Sequence, residues 1–267
     1  MQIILLLILA VFHVVMTDYL MTNPDFYQLS PYTWESDEFR ALKLGECVAE
    51  MEPVDVEAVT TWMIEQEYDL TGFEGQDYIS ERIEKRRPFE YRKLQNAYNI
   101  IFRDLKYFPI PSSTDKDMPN VTYENGWMDN RTYGGQRGHE GCDIMGNQRP
   151  RGTYPVVSMS DGVVEKVGWL EKGGWRIGIR TASGLYLYYA HLYDYSKDWK
   201  EGDEVTAGEL LGFMGDSGYS AIEGTVGNFD VHLHVGMYLR TDHYEELSVN
   251  PYWVLKYLEK YRLRYCY

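Results

Sequence analysis

The chain has 267 residues, 44% of them apolar, with 41 acidic against 26 basic side chains and a net charge of −15. A body of that length holds one or two domains. The charge excludes a nucleic-acid binder, which needs a basic footprint, and three cysteines (Cys47, Cys142, Cys266) exclude a disulfide framework, leaving one Cys47–Cys266 bridge open.

In chain order, the first feature is an unbroken apolar run from Ile3 to Met16. It has the length of a signal h-region and falls short of the about 20 residues of a full membrane span. No Lys or Arg precedes it and no clear small-residue cleavage site follows. A removed signal, an uncleaved membrane anchor over 1–17 and a buried helix of a soluble body are all open readings. From Thr17 to Pro111 the pattern is helical. Asp55 after Pro53 suits an N-cap, and Pro88 suits a first helical turn. Leu94, Tyr98, Ile101, Leu105 and Phe108 recur at helical spacing and predict one apolar face. The run Glu84-Lys85-Arg86-Arg87 reads as a solvated helix end. Region 18–110 carries no catalytic constellation, so it is expected to place the domain that follows, to cover its groove or to bind a partner.

Pro109 to Asp117 is turn-forming, which predicts a linker over 111–120. Beyond it the period changes. Val163 to Trp169, Trp175 to Thr181 and Leu185 to Ala190 alternate or are β-branched and aromatic, with glycine-rich turns between them. This predicts a mostly β, antiparallel domain over 121–267, with a short closing helix within Pro251–Leu263 whose face is Val254, Leu255, Leu258 and Tyr261. The 24 Tyr, 9 Phe and 7 Trp suit such a core and a groove that stacks on sugars or peptides.

Four of the six histidines fall in three short blocks of this β region: His139-Glu140-Gly141-Cys142-Asp143, Tyr189-Ala190-His191-Leu192 and His232-Leu233-His234. Imidazole and carboxylate are the ligands of a zinc ion that keeps one position open for water, and further histidines beside it can move protons. In a strand His232 and His234 share a face roughly 7 Å apart, with Leu233 and Val235 turned into a core. His139 and Asp143 would lie about 13 Å apart if fully extended. Ligands must reach within about 2 Å of the ion, so the backbone has to bend between them. Gly138 and Gly141 make that bend inexpensive and a helix unfavourable there. Period two turns Glu140 and Cys142 away, the first to solvent and the second into packing. His13, in the leader, and His243, in the polar turn Thr241-Asp242-His243-Tyr244, read as ordinary surface residues.

His-x-Gly-x-Asp, then Tyr-Ala-His-Leu, then His-Leu-His resembles the LytM-type, or M23 and lysostaphin-like, zinc endopeptidases. The resemblance runs from about Tyr123 to Tyr257. It includes Gly152-Thr153-Tyr154-Pro155 and Asp161-Gly162-Val163-Val164, similar to the family's first hairpin. It also takes in Glu201-Gly202-Asp203-Glu204-Val205 and Gly208-Glu209-Leu210-Leu211-Gly212, and the closing Val249-Asn250-Pro251. It implies a LytM/lipoyl-like sandwich fold. It implies one Zn2+ per chain on His139, Asp143 and His234, with His191 and His232 as the proton-handling pair beside a zinc-bound water. It implies as substrate the peptides of bacterial peptidoglycan, and an extracytoplasmic location, membrane-anchored or secreted.

Two departures stand out. The segment from Asp216 to Val231 is longer than the family's short approach to His-Leu-His and is expected to reshape a wall of the groove. Val235-Gly236-Met237 replaces the more common Phe-Glu. Anionic wall polymers would be repelled by so acidic a surface at long range, so recognition must be local. Two other classes fit the residues less well. A non-catalytic regulator of this family typically loses ligands, and this chain keeps all of them. A lipoyl- or biotinyl-type carrier needs a lysine at a hairpin tip, where Gly208-Glu209 supplies none.

Overall fold

The computed structural model describes residues 2–267. Its helices are α1 (Gln2–Met21), α2 (Asp25–Gln28), α3 (Asp37–Ala41), α4 (Gly45–Ala49), α5 (Val56–Glu65), α6 (Ser80–Arg86), α7 (Pro88–Phe102) and α8 (Tyr252–Leu258). Its strands are β1 (Ser112–Ser113), β2 (Thr122–Tyr123), β3 (Asn130–Arg131), β4 (Arg137–Gly138), β5 (Cys142–Met145), β6 (Pro155–Val157) and β7 (Gly162–Leu170). They continue with β8 (Gly174–Arg180), β9 (Tyr186–Tyr195), β10 (Glu204–Val205), β11 (Leu210–Met214), β12 (His232–Leu239), β13 (Leu247–Val249) and β14 (Arg264–Tyr265).

α1 is longer than the apolar run alone predicts. It has 20 residues, a mean hydropathy of 2.4 and no buried side chain, so it is long and apolar enough to cross a membrane and is not a core helix. The chain then enters the folded body at once. Asn23 is buried, and its Oδ1 accepts from Arg82 and Arg86.

α5 starts where its sequence directs: Oδ1 of Asp55 accepts from the amides of Glu57 and Ala58 at 3.0 and 3.1 Å. α7 begins at Pro88 and buries Leu94, Tyr98 and Ile101. It stops at Phe102, short of the predicted face. Asp104 Oδ2 instead accepts from the Ser183 amide at 2.6 Å, and the Lys106 amide donates to the Met159 carbonyl at 2.8 Å. Leu105 and Phe108 therefore pack as part of the junction with the β region rather than as helix.

The expected linker over 111–120 is corrected in the same sense. Ile110 is fully buried, and β1 pairs in parallel with β14 next to the C-terminus. The first residues of the segment are thus tied down, while 114–117 are exposed. Helical and β regions share one continuous apolar core. Across it, Arg40 donates to the Ser248 carbonyl at 3.1 Å, and Asn250 Nδ2 donates to the Ala41 carbonyl at 3.0 Å.

The β region is an antiparallel sheet in the order β10-β7-β8-β9-β12-β5-β2, with β13 on β12 and with β11 joining the far half of β9 and pairing β6. α8 closes the fold, burying Val254, Leu255 and Leu258. All three cysteines are free, so the Cys47–Cys266 bridge does not form. Cys142 is fully buried with its thiol on the Glu124 carbonyl, and burial, helped by the Asp143 charge, pushes it up to about 12.

Candidate metal centre and groove

Three neighbouring strands and one bend build the site. β12 carries His232 and His234 on one face and fully buries Leu233 and Val235 on the other. Antiparallel register sets His234 opposite Asp143 of β5 on one side and Ala190 of β9 on the other. His139 comes from the connection between β4 and β5, where the chain bends. The glycines there serve a purpose other than a left-handed bend, since neither has a positive φ. A Cβ on Gly141 would lie 2.3 Å from Cε1 of His234 and 2.8 Å from the Val235 carbonyl oxygen; one on Gly138 would lie 2.6 Å from Cε of Met128. Gly141 is the space into which the His234 ring fits.

Nε2 of His139, Oδ1 of Asp143 and Nδ1 of His234 form a triangle with edges of 3.0, 2.9 and 3.1 Å. Ligands at about 2.0–2.1 Å around a tetrahedral ion stand about 3.3 Å apart, so the triangle has the size of one face of such a site. Hydrogen bonds behind the triangle orient its members. Nδ1 of His139 donates to the Gly126 carbonyl at 3.0 Å, leaving its Nε2 lone pair facing inward. Oδ2 of Asp143 accepts from Arg131 Nη2 at 2.8 Å. Burial alone would raise Asp143, but its contacts with His139 and His234 and the charges of His234 and His232 outweigh that and hold the carboxyl far below its usual range. His234 is pushed down, mainly by burial, against the pull of Asp143. Two neutral imidazoles and a carboxylate are the donor set of an open zinc site.

His191 and His232 stand beside the triangle, their rings 4.7 Å apart and His191 6.0 Å from His234. Each has its Nδ1 engaged, His191 with the Ser217 carbonyl at 2.8 Å and His232 with the Asp230 carbonyl at 2.7 Å, so each keeps its Nε2 lone pair free. His232 Nε2 lies 3.8 Å from Oδ1 of Asp143. Burial, then the neighbouring His232 and His234, lowers His191 well below the ordinary imidazole value. Its backbone is unusual: φ is 61°, at a bulge where Ala190 and His191 together oppose the single residue Arg176 of β8. A bulge of this kind re-aims a side chain.

The long segment before β12 forms a wall. Ser217 is fully buried, and its Oγ accepts from the Trp175 amide at 3.0 Å and donates to the Leu192 carbonyl at 2.7 Å, so the acceptor for His191 is rigidly held. Phe229 and Tyr219 flank the His191 ring at 4.7 and 5.8 Å. Tyr219 stacks on Tyr133 of the connection between β3 and β4 at 4.6 Å and 3°. The cleft holds about 610 Å³, and its lining residues all come from 137–246. The helical region therefore does not cover it. That region instead contacts Glu140, which is turned to solvent as expected and pairs there with Arg40 at 2.9 Å. His243 is likewise tied to that region, through Glu35 at 2.8 Å.

Arg131, Ser217 and Phe229 carry no signal in the sequence pattern, because long-range pairing puts them at the site. Arg131 supports a direct test. Arg131→Ala is expected to lower metal affinity or activity by about 10–100-fold with the fold intact, the usual effect of losing a partner that orients a ligand. Competition with a chromophoric chelator measures it, and unchanged affinity together with unchanged turnover would remove Arg131 from the site.

Such a gathering of imidazole and carboxylate in an open cleft of an antiparallel sheet defines a metal-dependent hydrolase. Residues 137–251 match peptidase family M23. A crystal structure described as a candidate glycyl-glycine endopeptidase lytM from Ruminococcus gnavus ATCC 29149 superposes with a TM-score of 0.76 at 38% identity, covering 90% of this chain and 99% of that one. The chain belongs to peptidase family M23. It is also similar to the L-Ala--D-Glu endopeptidase of Bacillus subtilis (strain 168), 42% identical over 172 residues that make up 64% of this chain and 49% of that protein. Over 84 residues, 31% of this chain and 22% of the other, it is 38% identical to the glycyl-glycine endopeptidase ALE-1 of Staphylococcus capitis. The chain thus spans about half the length of the Bacillus relative.

Proposed function

We propose that this chain is a zinc-dependent endopeptidase that hydrolyses peptide bonds of bacterial peptidoglycan outside the cytoplasm, with α1 as an anchor or export segment. The observation that carries the reading is the triangle of His139 Nε2, Asp143 Oδ1 and His234 Nδ1 with two free imidazole Nε2 atoms beside it. His139, Asp143 and His234 would hold one zinc ion. When bound, zinc supplies Lewis-acid chemistry, polarising a carbonyl and lowering the pKa of water towards about 7.

The chain's own groups divide the remaining work. His191 and His232, each held at Nδ1 by a carbonyl with Nε2 left unengaged, take a proton from the attacking water and return it to the leaving amine. Once protonated, either can donate to the oxygen on which charge develops. Arg131 holds the second oxygen of Asp143, so that the first stays on the metal side. Phe229 and Tyr219 wall off His191 from solvent.

The names of the relatives point to different bonds, L-Ala–D-Glu in one case and Gly–Gly in the others. The zinc-loaded full chain, incubated with purified peptidoglycan with and without chelator, is expected to release chelator-sensitive peptide fragments while leaving the glycan intact. Mass spectrometry of the new amino termini identifies the bond. Metal-loaded protein that releases nothing would overturn the catalytic reading in favour of a regulatory one.

A further inference from the structure

The groove holds a cation that the hydrolysis itself does not use. Arg176 of β8 is 9% exposed and lines the same cleft as the five site residues. Its Nη1 is buried and meets no acceptor, and no carboxylate stands within ion-pair distance of it among the described residues. Arg180, four residues along on the same strand face, shows the ordinary solution: Glu165 holds it through two contacts of 2.6 and 2.8 Å. A guanidinium cannot shed its charge, so burying one without a partner is unfavourable and calls for an explanation outside the fold.

Its setting points the same way. Arg137 and Lys172 line the same cleft without an ion pair among the described residues, in a chain whose net charge is −15. Glu140 and Glu246 line the cleft as well, but the first pairs with Arg40 at 2.9 Å and the second lies 4.0 Å from Arg180, so Arg137, Lys172 and Arg176 remain as the cations open to an anionic group. Register sets Arg176 against the Ala190–His191 bulge, and Ala190 pairs with His234. Two strand spacings, about 10 Å, thus separate the Arg176 and His234 backbones. That span is about three residues of extended peptide. Tyr186 and Tyr188, on the same face of β9, line the cleft beside it. A planar guanidinium with free N–H groups, walled by aromatic rings, is built to take a planar carboxylate through two parallel bonds.

We propose that Arg176 is a specificity-determining residue that binds a free carboxylate of the substrate peptide within about three residues of the scissile bond. This rests on the endopeptidase reading and sharpens it. A glutamate joined into a peptide through its amine and one carboxyl keeps the other carboxyl free, whereas a Gly–Gly segment has no side chain to offer. The groove is therefore selective for an L-Ala–D-Glu type of bond over a glycine bridge.

The test uses two tripeptides beginning L-Ala–D-Glu that differ only in whether the free glutamate carboxyl is a carboxylate or a carboxamide. With the zinc-loaded full chain, kcat/KM is expected to be about tenfold or more higher for the carboxylate peptide, as a charge-assisted bidentate contact implies. In Arg176→Gln that ratio falls towards one, and in Arg176→Lys, which keeps charge without the fork, it falls part of the way. Zinc content and Tm report folding of both variants. Equal kcat/KM for the two peptides in the wild type, or a ratio unchanged in Arg176→Gln, overturns the proposal. Calorimetric titration of both peptides into the metal-free full chain reads recognition without turnover. Tighter binding of the carboxylate peptide there, with no cleavage of peptidoglycan after zinc loading, would uphold Arg176 and sink the endopeptidase reading. Equal binding, or none, would sink Arg176 alone.

Discussion

Replacing His234 with alanine is expected to give a folded protein that holds no stoichiometric zinc after dialysis and releases no peptide from peptidoglycan. Nδ1 of His234 is one corner of the triangle, 2.9 Å from Oδ1 of Asp143 and 3.1 Å from Nε2 of His139. Without it two ligands remain, one fewer than an open zinc site needs. The loss also removes one of the contacts that hold the Asp143 carboxyl low. His139→Ala is expected to act alike, with an added loss of stability because its ring is buried and bonded to the Gly126 carbonyl. Metal analysis of the dialysed protein decides the matter. One zinc per chain retained by His234→Ala would overturn the ligand set.

His191→Ala is expected to do the opposite: to keep zinc and to lose about 10²–10⁴-fold in kcat/KM, the usual contribution of a positioned acid or base. His191 touches none of the three triangle atoms, and its fixed points are the Ser217 carbonyl and the rings of His232 and Phe229. The pH dependence follows from the sign of its shift. Burial and the neighbouring imidazoles lower its pKa, so the base stays unprotonated, and competent, below the ordinary imidazole value of about 6.5. The acid-side fall of kcat/KM is therefore expected below that pH. His232→Ala should share the zinc content and the lost turnover. Loss of zinc from both variants in parallel with activity would reassign them from proton transfer to holding the metal.

What could be read from the chain alone is local. His232-Leu233-His234 shows by its period alone that both imidazoles share one face, and the distance from His139 to Asp143 demands a bend. The swap from helical to alternating period after Pro111 separates the two regions. What could not be read depends on partners far away in sequence. The end of α7 is set by Asp104 reaching Ser183, and the turn-forming stretch after Pro109 becomes a strand because Arg264 and Tyr265 lie beside it. Gly141 looks like a hinge in sequence and proves to be a gap for a ring that arrives from β12. Arg131 and Arg176 are two of 26 basic residues until the sheet places one behind Asp143 and the other in the cleft.

On the proton-transfer role proposed for His191, its φ of 61° sets the interests of the fold against those of the reaction. A side chain in left-handed backbone costs about 1–2 kcal/mol that glycine would not. Glycine in place of His191 should thus relax the backbone while leaving the Ser217 carbonyl without its imidazole partner. Selection for thermal endurance alone would push this position towards glycine, and selection for turnover would hold it at histidine. A stabilised descendant of this chain that keeps its activity must therefore find its gains elsewhere in the molecule.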